Sequence, residues 1–203
     1  MRISLVAALA MLIVSLCPAL ASAGGRDPNL AVVERFHAAL LDTMKQGKAL
    51  GINGRFKKLE PEVAANFDLA TMTQFTVGPK WSSMSEADRA SIVAAFRRMT
   101  VASYARNFSE FKEQVFTLEE KVDVRGPDRL VKSQIIPKGE KPVNLVYRMR
   151  ETSGSVRIID VIYQSVSQVA TRRSDFASTI ASGGAPALVA KLNEISDREM
   201  AGN

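Results

Sequence analysis

At Val115 the sequence changes its period. Upstream, apolar side chains recur every three or four residues. From Val115 onward they alternate with polar ones, in four β-rich runs over residues 115–125, 129–137, 143–151 and 155–164. The separators GPD, PKGEKP and TSG are short, and short connections between consecutive strands make them antiparallel neighbours, which predicts a four-stranded meander. In the third run Val143, Leu145, Tyr147 and Met149 share one face, opposite Asn144, Arg148 and Arg150, so that face is built for burial. The fourth run is apolar on both sides, with Ile159, Val161 and Tyr163 against Val156, Ile158 and Ile162, as suits a central or doubly covered strand.

Helices are expected on both sides of this block. Asp27-Pro28 reads as an N-cap followed by a first-turn proline, and Leu30, Val33, Phe36, Leu40 and Met44 keep helical spacing as far as Gly47 or Gly51. Two short helices are predicted next, one started by Pro61 and one by Asp68, before GPKW forces a turn. The capping-box pattern at Ser85 to Asp88 opens the longest periodic segment, which carries Ile92, Phe96, Met99 and Phe108 and reaches residues 107–110. Two terminal helices, 171–181 and 185–198, are separated by Ser182-Gly183-Gly184. Thr171 or Ser174 is the expected cap of the first. The order helices, sheet, helices is an α+β layout in which helices cover one face of the sheet or curl into the mouth of a curved one.

Residues 1–23 are set aside as an export signal: Arg2, an apolar run from Ile3 to Leu16, and the small-residue cleavage site Ala21-Ser22-Ala23. Leu16 before Cys17 disfavours a lipoprotein signal, and the run is shorter than the roughly 20 residues a permanent span needs. The mature chain, 24–203, is then one domain and contains no cysteine, which removes disulfides, thiolate chemistry and sulfur-ligated zinc. The whole chain carries a net charge of +6. For an exported protein the matching partners are anionic membrane surfaces and acidic proteins, with no nucleic acid.

The residues offer little for catalysis. His37 is the one histidine and lies mid-helix, where a helix-surface or core-edge role outweighs a catalytic one. No metal site is expected, no serine occupies a nucleophile elbow, and GINGRF lacks both the spacing and the lysine of a phosphate loop. Glu119 and Glu120 are adjacent on a strand and point to opposite faces. Asp160, acidic within an apolar strand, is expected to pair with Arg148 or Arg157. What stands out is the supply of large apolar side chains flanking the sheet: Met72, Phe75 and Trp81; Phe96, Met99, Tyr104 and Phe108; Tyr147, Met149 and Tyr163. Such a stripe forms a plain core more often than a ligand pocket.

The segment VRIIDVIYQSVSQVATRRSDFASTIASGGAPALVAKL resembles the closing motif of the MlaC family of periplasmic lipid carriers, which are auxiliary components of ABC transporters. Phe67-Asp68, Gly78, Trp81, Phe96 and Tyr104-Ala105 occur in the order of that family's helical signature. The Arg172-Arg173-Ser174 turn with the Gly183-Gly184 junction is most similar to the hopanoid-associated HpnM branch, although Ala170-Thr171 stands where the phospholipid-transport branch has asparagine-tyrosine.

The resemblance implies a periplasmic shuttle that holds a phospholipid or hopanoid non-covalently, with no cofactor beyond its cargo. Its cavity would be lined by the apolar residues named above together with Leu145, Ile159 and Val161. It implies exchange with an inner-membrane lipid-transport complex, and with an outer-membrane complex or a resistance-nodulation-type transporter. Arg97-Arg98 and Arg172-Arg173 are the implied contacts to a head group, membrane surface or partner. A strand of eight residues is about 26 Å long at ~3.3 Å per residue, comparable with an extended acyl chain. The competing readings are an enzyme of hopanoid or envelope-lipid metabolism, and an adaptor whose pocket is filled by its own side chains.

Overall fold

The computed structural model describes residues 25–202; the export signal expected at 1–23 lies outside the described residues. Helix α1, Pro28–Lys45, starts where the Asp27 carboxylate accepts the Asn29 amide at 2.7 Å, and it buries Leu30, Val33, Phe36 and Leu40. Helix α2, Gly47–Asn66, is kinked at Gly51 (φ 58°, ψ −179°) and continues through Pro61. Pro61 therefore opens no helix. Its ring faces solvent, while Leu59 and Val63 on either side are fully buried and hold the helix to the core. Helix α3, Leu69–Val77, is capped by Asp68, a 3₁₀ turn spans Gly78–Ser83, and α4, Glu86–Asn107, is capped by Ser85 accepting the Asp88 amide at 3.1 Å.

The sheet has six strands where four were expected: β1 Val115–Leu118, β2 Asp123–Arg125, β3 Asp128–Ile136, β4 Val143–Thr152, β5 Ser155–Tyr163 and β6 Val166–Ser167. All pairings are antiparallel, in the order β1-β3-β4-β5-β6 with β2 also beside β3. The first expected strand is interrupted after Leu118: Glu119 still donates its amide to the Lys132 carbonyl at 3.0 Å, Glu120 turns its carboxylate to Arg26, and pairing with β3 resumes at Asp123. The added strand β6 arises because Gln164 and Ser165 both take positive φ (47° and 68°), the two-residue turn that folds a strand back on itself.

Along the inner face, Val131 lies opposite Tyr147 and Ser133 opposite Leu145; Leu145 and Tyr147 in turn face Tyr163 and Val161. The register then shifts between Arg148 and Met149. Arg148 pairs with Asp160 but Met149 with Ile158, so Ile159 is the extra residue of a bulge. A one-residue slip reverses which side chains share a face. Ile158, rather than Ile159, therefore joins Met149 in the main core, which packs against α1, α4 and α5.

Helix α5, Gln168–Ala201, consists of two helical stretches joined at Gly184, which leaves helical geometry (φ 60°, ψ −147°), so the expected break at Ser182-Gly183-Gly184 is where they meet. Its cap is Ser167, whose Oγ accepts the Ala170 amide at 3.0 Å, instead of Thr171 or Ser174. Among the described residues no helix is long and apolar enough to cross a membrane.

Candidate functional site: an apolar cleft with a polar mouth

Between the inner face of the sheet, α4 and the start of α5 lies a cleft of about 510 Å³. The sheet supplies Leu145, Tyr147, Val161 and Tyr163 to it, α4 supplies Phe96, Met99 and Tyr104, and Met72 and Phe108 close its sides. These residues, drawn from the apolar stripe of the sequence, come together because the alternating strands and the long helix each turn one apolar face inward.

The remaining members of the stripe lie elsewhere. Met149 is fully buried in the core, and Ile159 is buried at the bulge. Trp81 sits on the 3₁₀ turn under the Arg89 guanidinium, 5.7 Å from its ring centroid. Phe75 lies against Arg150, 5.5 Å from the ring centroid, and lines a different cavity.

Deep in the cleft the polar groups are mostly neutral. Tyr147, 2% exposed, has its hydroxyl 2.9 Å from Nε2 of His37, whose ring stacks on Phe116 at 4.1 Å. Desolvation lowers the His37 pKa to about 3, which keeps the ring uncharged, and burial pushes both Tyr147 and Tyr104 well above the ordinary phenol value. Tyr104 sits edge-on to Phe36 at 5.2 Å and stacks with Phe108 at 5.6 Å. Ser103 Oγ, buried on the cleft wall, has no hydrogen-bond partner among the described residues.

The mouth is different in character. Tyr163 is 48% exposed, and Asn107, Gln168, Arg172 and Glu199 border the opening. The arrangement offers a dry, apolar interior to a hydrocarbon and a wet, hydrogen-bonding rim to a polar head.

The arginine pairs divide. Arg172 borders the cleft, while Arg173, one residue on, points into the neighbouring cavity. Arg98 is tied to Asp197 of α5 at 2.7 Å, and Arg97 is exposed; neither lines the cleft. Asp160 pairs with no arginine: its carboxylate accepts Ser167 Oγ at 2.6 Å and the Val169 amide at 3.1 Å, fastening the start of α5 to β5. The lining also includes Thr100, Ile135 and Val169, together with Phe67 of the family-like helical signature. Ile135 was available from strand alternation, since it faces Val143. Phe67 reaches the site through an isolated bridge to Ile158, a non-local contact with no signature in the sequence.

A helix-covered antiparallel sheet enclosing an apolar cleft with a polar rim defines an α+β binding domain. Residues 34–194 match the family model described as MlaC protein, and the chain belongs to that family. Its fold is similar to that of a phospholipid-binding protein from Ralstonia solanacearum, solved in complex with a phospholipid, with a TM-score of 0.75. The two are 22% identical in sequence, and the match covers 85% of this chain and 99% of the other.

Proposed function

We propose that the protein is a lipid-binding and transfer protein that carries the apolar part of a phospholipid in the cleft, without covalent chemistry, and leaves the head group at the Arg172 rim. The observation that carries this reading is the cleft's polarity, with an apolar interior lined by Phe96, Met99, Leu145 and Val161 and a mouth bordered by Arg172 and Gln168. Membership of the MlaC family and the phospholipid held by the Ralstonia relative support it. Each methylene taken from water contributes about 0.8 kcal/mol, so part of one acyl chain supplies micromolar binding after the costs of association.

In the fuller form of the proposal the protein works in the periplasm. It accepts lipid from an inner-membrane transport complex and passes it to an outer-membrane or resistance-nodulation-type partner, and the cargo includes hopanoids. The Arg172-Arg173-Ser174 sequence, which lies within α5, and the Gly183-Gly184 junction support the hopanoid assignment.

Transfer of a fluorescent phospholipid between two vesicle populations tests the function. The mature protein accelerates transfer, and Val161→Trp, which fills the cleft, abolishes the acceleration while the circular dichroism spectrum is retained. Equal transfer by the two proteins would refute a role for the cleft.

A further inference from the structure

A second cavity, of about 520 Å³, adjoins the cleft and shares Val169 with it as a wall. It opens on the side of the sheet that carries Arg148, whose strand neighbours Tyr147 and Met149 face the core. Its walls come from the end of α3 and the following turn (Phe75, Gly78), from the β4–β5 pair (Arg148, Asp160) and from the start of α5 (Ser167, Arg173).

The charges in and around this cavity leave one cation unanswered. Asp128, 1% exposed, accepts Arg148 Nε at 2.5 Å and Arg150 Nε at 2.7 Å, so one carboxylate serves two guanidinium groups. Asp160 is engaged by Ser167 Oγ and the Val169 amide, where an acid at a helix start is favourable. Arg173 makes no ion pair or side-chain hydrogen bond among the described residues.

Arg173 is exposed, yet its guanidinium rests on the protein. A Cβ built on Gly78 would fall 2.9 Å from Arg173 Nε and 3.0 Å from Cζ, so the guanidinium lies against bare backbone. Gly78 also has φ 71°, where other residues are strained.

We propose that this cavity is an oxyanion site that binds a phosphate group through the planar fork of Arg173, with the adjacent Arg148 adding to the positive field. Arginine's parallel N–H donors match phosphate oxygens in a bidentate arrangement. The phosphate comes either as the free ion or as the phosphodiester of a lipid head group. The proposal is independent of what the apolar cleft carries.

Amide NMR titrations of the mature protein at constant ionic strength, with chloride as the balancing anion, test it. One arm uses inorganic phosphate and the other glycerophosphocholine, a head group without acyl chains. We expect saturable shifts at Gly78 and Ala170 in at least one arm. Saturation by phosphate alone assigns the free ion, and saturation by the diester assigns the head group. Arg173→Gln weakens the binding at least tenfold, Arg173→Lys, which keeps the charge but loses the fork, falls between, and Lys57→Gln, which removes an exposed charge on α2, leaves it unchanged. Absence of saturable shifts in both arms, or equal affinity in Arg173→Gln, overturns the proposal.

Discussion

Lowering the pH from 7 to 5 should destabilise this protein through one side chain. His37 is the only histidine in the chain. It is 4% exposed, stacked on Phe116 and bonded to the Tyr147 hydroxyl. Desolvation lowers its pKa from 6.5 to about 3. The unfolded chain takes up a proton as the pH falls below 6.5, and the folded chain resists until about 3. The stability that the neutral ring contributes is therefore complete above 6.5 and is lost as the pH falls towards the folded value. At about 1.36 kcal/mol per pH unit over the part of the interval below 6.5, the loss between pH 7 and 5 is about 2 kcal/mol. For a chain of this size that is about 4–8 °C in melting temperature.

The buried Asp128 titrates below this window. Burial alone would raise the Asp128 carboxyl, but the hydrogen bonds from Arg150 and Arg148 outweigh it and hold it below the ordinary value of 3.8. Urea unfolding at pH 7 and pH 5, followed by circular dichroism, is the assay, on the mature protein and on His37→Gln. The variant should keep its stability across the interval to within about 0.5 kcal/mol, whatever its absolute stability. If wild type and variant show the same loss, the buried neutral histidine is not the source and the reasoning fails.

Other perturbations have equally definite outcomes. Asp128→Asn leaves Arg148 and Arg150 facing each other without a counter-charge and should cost about 3 kcal/mol in urea unfolding at pH 7. Asp160→Ala frees the Val169 amide and the Ser167 hydroxyl, costs about 1–2 kcal/mol, and should speed hydrogen exchange at Val169 and Ala170 well before it affects α4. Arg172→Glu reverses the charge at the cleft mouth and should slow transfer to anionic vesicles at low salt, with the difference shrinking as salt is raised; a salt-independent effect would point to misfolding.

The features legible in the sequence are those with local causes. Asp68 and Ser85 cap their helices because the cap is written within three residues of itself. The buried face of β4 follows from strict alternation at Leu145, Tyr147 and Met149. Alternation alone misplaces Ile159, since a bulge changes parity without changing composition. Ser167 has no local signature as a cap, because β6, two residues long, exists only through its pairing with Ile162 and Tyr163. The same limit applies to the site. Helical spacing brings Phe96, Met99 and Tyr104 together, but Trp81 and Phe75 belong to a turn and a helix end whose direction is set by tertiary contacts with Arg89 and Arg150. Asp160 shows the point most clearly: an acid in an apolar strand looks like half of an ion pair, and its partners prove to be a hydroxyl and an amide at the start of the next helix.

Native mass spectrometry of the mature protein, purified from the periplasm of a hopanoid-producing cell, tests the central claim most directly. The cleft predicts a population heavier by the mass of a bound lipid, released as an intact molecule on extraction and missing from Val161→Trp. A wild-type protein that stays lipid-free, even after incubation with phospholipid and hopanoid vesicles, would contradict the account.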